Sequence, residues 1–127
     1  MPTMTKINLP DTSKALEYFR AKNAFTTGPV EIWYMKKDGV DNINVVDVRA
    51  ADDYAKGHIP GSVSLPRDRW DAAQGLAKDK ANIFVCYSQQ CHLAAKAAEK
   101  FAAKGYPAME MEGGFKAWQD NGLDIER

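Results

Sequence analysis

Two cysteines and a histidine lie close together in this chain, at Cys86, Cys91 and His92. Cys86 closes an apolar run, Ile83-Phe84-Val85, and opens a polar loop, Tyr87-Ser88-Gln89-Gln90-Cys91, that leads into an Ala-rich stretch. A strand that turns directly into a helix start aims unpaired backbone N–H groups, and the positive end of the helix dipole, at the residue between them. A thiol placed there loses its proton more readily than a free one, and the thiolate is the nucleophile. A buried Cys that only fills space is common, but Cys86 ends the strand instead of sitting inside it. Cys91 can resolve an oxidised Cys86, ligate a metal with Cys86 and His92, or pack beneath the loop. The spacing is wrong for a structural zinc site, so no metal is expected. Packing is the preferred reading, because a backbone cradle around Cys86 would have to open before the two sulfurs met at bonding geometry.

The elements that must hold this loop alternate between short apolar strands and helical stretches, the pattern of an α/β domain with a largely parallel sheet. Ser13 is expected to cap a short packing helix with an apolar stripe through Ala15, Leu16, Tyr18 and Phe19. Thr27-Gly28-Pro29 starts a second helix, with Val30, Trp33 and Tyr34 on one face and Asp38-Gly39 at its end. Ile43 to Val48 is a β-branched strand suited to burial on both faces. A short helix over Ala51 to Lys56 leads to the tight Gly57-His58-Ile59-Pro60-Gly61 loop and a brief strand, Val63-Ser64-Leu65. A helical segment follows, from Asp68 or Arg69 to Gln74. Asn82 to Val85 is the strand that delivers Cys86. The helix after the loop, from about His92 to Lys104, has Leu93, Ala94, Ala97, Ala98 and Phe101 on its core face and stops at Gly105. Tyr106 to Met111 forms another strand, with Pro107 near its start. Gly113-Gly114 turns the chain into a last helix anchored by Phe115 and Trp118.

At 127 residues the chain has room for one domain with one moderate core. Lys+Arg and Asp+Glu both number 17, so no overall charge pulls the protein to nucleic acid or an anionic membrane. Trp33, Trp70 and Trp118 do not alternate with basic residues, which also argues against nucleic acid. Residues 1–10 lack the apolar centre of a signal peptide, and no stretch approaches the length of a membrane span. A soluble cytoplasmic protein is expected. Two closely spaced Cys are too few for a disulfide framework, which favours reduced, reactive thiols.

Four segments in order carry a resemblance: Asp47-Val48-Arg49, then Gly57-His58-Ile59-Pro60-Gly61, then the strand ending in Cys86, then Glu112-Gly113-Gly114-Phe115-Lys116-Ala117-Trp118. Together they resemble the rhodanese-like sulfurtransferase family. The resemblance covers 29–127, leaving 1–28 as an N-terminal extension with its own helix. It implies a parallel five-stranded sheet with helices on both faces and an active loop at the C-terminal edge of the sheet. It also implies that Cys86 accepts a sulfane sulfur as a persulfide and passes it to a thiol or cyanide, with Tyr87, Ser88, Gln89, Gln90, Cys91 and His92 forming the substrate-binding loop. The partners would be a small sulfur-containing anion and a thiol acceptor, with no cofactor, and the protein a monomer or weak homodimer. A persulfide is anionic, and backbone N–H groups at a helix start stabilise anions without a metal.

In that comparison the active loop typically carries a basic residue, which this loop lacks. Weak use of dianionic thiosulfate follows, and an Arg at Gln90 would supply the missing cation. Phosphatases of this fold place an Arg where His92 stands, and imidazole cannot make the bidentate phosphate fork. His58 is expected to be a hydrogen-bonded structural residue, Asp47 and Arg49 a structural polar pair, and Arg67 and Arg69 a solvated face bordering the site. The alternatives are a weakly catalytic binding or regulatory module of the same fold, and a thiol redox protein using Cys86 and Cys91.

Overall fold

The computed structural model describes residues 5–127; the first four positions, where the signal-peptide reading begins, lie outside them. Five strands, β1 (Thr26–Thr27), β2 (Ile43–Asp47), β3 (Val63–Ser64), β4 (Ala81–Val85) and β5 (Ala108–Met111), pair in the order β1-β5-β4-β2-β3. Every pairing is parallel. The strand that delivers Cys86 is therefore central, and its apolar run reflects burial on both faces.

Strand periodicity divides the core in two. Val46, Phe84 and Cys86 point to one side, where they meet Ala94, Ala97 and Phe101 of α4 (Leu93–Ala103). Phe84 and Phe101 stack at 5.7 Å between centroids, and the alanines let α4 lie close to the sheet. On the other side Val45, Ile83 and Val85 meet Ile32 of α2 (Pro29–Lys37) and Phe115 and Trp118 of α5 (Gly114–Asp120). Trp118 is fully buried, and its indole N–H donates to the Asp124 carbonyl at 2.7 Å. The remaining helices are α1 (Thr12–Phe25), α3 (Ala51–Lys56) and a 3-10 helix over Arg67–Ala72. No helix among the described residues is long and apolar enough to cross a membrane.

Four expectations change. Asp11, not Ser13, caps α1: its carboxylate accepts from the N–H groups of Ser13 and Lys14 at 3.0 and 3.1 Å, and the Ser13 hydroxyl donates to the same oxygen. The Leu16, Tyr18 and Phe19 side of this helix is not packed on the domain but stands more than half exposed. α1 is held instead at its C-terminal end, by the Lys22–Glu112 ion pair and by β1 alongside β5. In α2 the buried residue is Ile32, while Val30 and Tyr34 stay exposed. Ile32 and Met35 make a second i, i+3 stripe in the same sequence, and docking beside α5, with Trp33 edge-on to Trp118 at 6.4 Å, selects it. Finally, β1 supplies the fifth strand from a two-residue Thr pair.

Candidate functional site

Cys86 follows directly on β4, and its side chain lies on the α4 side of the sheet, almost wholly buried. The loop beyond it doubles back through a turn in which the Cys91 N–H donates to the Ser88 carbonyl at 3.1 Å. That turn brings Cys91 over Cys86: the Cys86 thiol donates to the Cys91 carbonyl at 3.4 Å, and the two thiols lie close enough to bear on each other's ionisation. His92 caps α4 without a side-chain hydrogen bond, so the first helical N–H groups are free for other acceptors. They turn to the sulfurs. Ala94 and Ser88 direct their N–H groups at Cys86, and Leu93 and Tyr87 direct theirs at Cys91.

The electrostatics differ from the expected low-pKa Cys86. Burial pushes the Cys86 thiol up to about 11, the hydrogen bond with Cys91 adds to the rise, and the two N–H groups offset only part of it. Burial also opposes ionisation of Cys91, but the hydrogen bonds from Cys86, Leu93 and Tyr87 outweigh it and bring this thiol below its ordinary value. Of the two thiols, Cys91 is the one whose surroundings favour the anion.

A cavity of about 160 Å³ opens onto the pair, lined by Cys86, Ser88, Gln89, Cys91 and His92 from the loop together with Glu110 from β5. Tyr87 and Gln90 do not line it. Tyr87 turns the other way, its hydroxyl donating to Asp53 at 2.6 Å and accepting from the Ala50 N–H at 3.1 Å. Gln90 is the residue toward which the Ser88 hydroxyl points, at 3.5 Å. Cys91 both packs against the α4-side core and lines the cavity.

Glu110 is the site residue that the sequence reading missed. It pairs in register with Phe84, two residues before Cys86 on the adjacent strand, and shares its parity with Ala108, which packs on the α4-side core. An acidic residue inside an otherwise apolar strand was the available signal. Partial burial raises its carboxyl above the ordinary value, and the nearby Glu112 raises it further, against the pull of His92 and Lys22.

The loop is fixed from beneath by the turn into α5. Phe115 and Lys116 donate their N–H groups to the carbonyls of Cys86 and Tyr87 at 2.7 and 3.0 Å. Beside it, buried Arg49 forks onto Asp47, with Nη2 at 2.8 Å, donates to the Gly57 carbonyl at 2.7 Å and lies 4.1 Å over the Phe115 ring. His58 stacks on Tyr54 at 3.7 Å, with Nδ1 at the Tyr54 carbonyl and Nε2 facing Glu126. Both residues hold the frame. Arg67 and Arg69 border a separate cavity of about 510 Å³ that reaches Tyr87.

The model of the rhodanese-like domain matches residues 31–121. The chain belongs to the rhodanese-like domain family. Among solved structures, this rhodanese-like domain is similar to the BH2092 protein from Bacillus halodurans, at 32% identity and a TM-score of 0.84 over 91% of this chain and 86% of the other. It is also similar to part of a thiosulfate sulfurtransferase from Pseudomonas aeruginosa, at 30% identity and a TM-score of 0.66 over 81% of this chain but 19% of that one. Among curated proteins it is 25% identical over 72% of its length to an HTH-type transcriptional regulator from Mycobacterium tuberculosis. It is 29% identical over 56% of its length to the "Putative sulfur carrier protein YrkF" of Bacillus subtilis. The chain spans 41% and 40% of the length of these two relatives. It covers 81% of the "Putative sulfurtransferase YtwF" of Bacillus subtilis, 27% identical over 66% of this chain.

Proposed function

We propose that this domain is a sulfurtransferase or persulfide carrier in which Cys86 accepts a sulfane sulfur and passes it to a thiol or cyanide. The observation that carries the reading is the Cys86 sulfur at the floor of a small polar cavity, with N–H groups of Ser88 and Ala94 aimed at it. That arrangement suits a sulfur that must become anionic twice, first as thiolate and then as persulfide, with no cation in the loop. Cys86 attacks as the thiolate, its proton leaving to solvent through the cavity. In the loading step the Cys86 sulfur bonds to the outer sulfur of the donor, the donor's sulfur–sulfur bond breaks, and the remainder of the donor leaves with the electron pair.

The half-buried carboxyl of Glu110 at the same cavity, and the lack of Arg or Lys along its wall, favour donors of low charge such as polysulfide over dianionic thiosulfate. Transfer of sulfur from polysulfide to cyanide, read as thiocyanate, tests the reading. The wild-type protein should accelerate it over the uncatalysed background and Cys86→Ser should not; equal rates for the two proteins would refute it.

A further inference from the structure

Cys91 does more in this geometry than fill space beneath the loop. Its carbonyl accepts from the Cys86 thiol at 3.4 Å, its thiol lies near enough to bear on the ionisation of Cys86, and both residues line one cavity of about 160 Å³. The turn from Ser88 to Cys91 already sets the Cys91 backbone against the Cys86 thiol, so the two residues start as neighbours and not at opposite ends of an extended loop. We infer that Cys91 discharges the persulfide on Cys86, closing a Cys86–Cys91 disulfide and releasing the carried sulfur as hydrogen sulfide. The inference rests on the carrier reading above and adds a second activity to it.

The step balances without any outside reagent. Before it, Cys86 carries a persulfide anion and Cys91 a thiol. The Cys91 proton passes to the terminal sulfur, and the Cys91 sulfur attacks the inner sulfur, the one bonded to the Cys86 β-carbon. A bond forms between the Cys86 and Cys91 sulfurs, the bond between the inner and terminal sulfurs breaks, and HS⁻ leaves. Two electrons from the thiols reduce the sulfane sulfur to sulfide. The N–H groups of Leu93 and Tyr87 that stabilise charge on Cys91 favour its attacking form. An external thiol is then needed to reopen the disulfide, so acceptor thiol concentration decides whether the sulfur is handed on or let go.

Protein is loaded with inorganic polysulfide under anaerobic conditions without added thiol, desalted, and followed over time by intact mass, peptide mapping and sulfide detection. Wild type should lose its extra sulfur, release sulfide and gain a Cys86–Cys91 crosslink. Cys91→Ala and the near-isosteric Cys91→Ser should retain the extra sulfur on Cys86 over the same interval and release none. Persistence of the persulfide in wild type, or equal sulfide release from the Cys91 variants, overturns the inference while leaving the carrier reading intact. Failure of the wild-type protein to take up sulfur overturns the carrier reading, and this inference with it; wild type that loads and discharges while the Cys91 variants do not load at all overturns the discharge role assigned to Cys91.

Discussion

Gly114 lies so close to the Cys86 loop that a Cβ on it would stand 2.5 Å from the Ser88 nitrogen and 2.9 Å from the Cys86 carbonyl oxygen. Its φ of +64° would also strain an L side chain. The two α5 N–H groups that hold the loop follow it directly, so relieving the clash must move the loop off those donors. Gly114→Ala should lower Tm and sharply reduce sulfur transfer. Gly122→Ala is the control: it has a similar φ of +67° but no atom within 4 Å of the added Cβ, so it should cost only the left-handed strain of about 1–2 kcal/mol and keep its activity. Equal loss of activity in the two variants would show that contact with the loop is not what matters.

The cysteines should titrate in reverse of the order expected from position alone. With Cys91 below the ordinary thiol value and Cys86 pushed up to about 11, iodoacetamide near neutral pH should label Cys91 first, with Cys86 labelling rising only in strong alkali. Cys91→Ala removes the hydrogen bond that helps raise Cys86, so Cys86 in that variant should label at lower pH. The folded state holds the Cys86 proton more tightly than the unfolded chain. Its contribution to stability is therefore intact below the ordinary thiol value of 9.0 and lost as pH climbs through about 11. Denaturation against pH in wild type and Cys86→Ser separates this contribution.

Much of this architecture is legible in the sequence because strong periodicity and punctuation coincide. Val45, Val46, Phe84 and Val85 mark buried strands, Gly28-Pro29 marks a helix start, and Gly105, with φ +88°, marks a helix stop. What is not legible depends on partners far along the chain. Thr26–Thr27 becomes a strand because β5 lies beside it. Ile32 wins over Val30 and Tyr34 because α5 packs there. The place of Cys86 at the end of a buried strand is readable from the strand-to-loop transition, but its ionisation is not: the burial and the Cys91 contact that govern it exist only after folding. Gln90, the position where sequence reasoning would restore a cation, is not among the residues that line the cavity, whereas Gln89 is.

Charge in that cavity should set donor preference. Glu110→Gln removes a carboxylate and Gln89→Arg adds a cation, so both should raise kcat/KM for thiosulfate more than for polysulfide. The gain in Gln89→Arg should shrink with added salt, as expected for an interaction open to solvent. Steady-state kinetics with the two donors checks this, and equal gains for both donors would contradict it.

Arg49 should prove to be a structural residue. Its guanidinium is the partner of buried Asp47 and covers Phe115. Arg49→Ala leaves a buried carboxylate unpaired, at a cost of about 3–5 kcal/mol, and Arg49→Lys loses the fork geometry. Urea denaturation should show a large loss in the first and a partial loss in the second; an unchanged midpoint in both would refute the assignment.

The most direct measurement asks where the sulfur first lands. Protein mixed with polysulfide is trapped at the earliest accessible times by alkylation, and the peptide carrying both cysteines is fragmented to locate any additional sulfur. The account predicts one extra sulfur on Cys86 in the wild type and none in Cys86→Ser. An extra sulfur on Cys91 instead, or none on either cysteine, would contradict it.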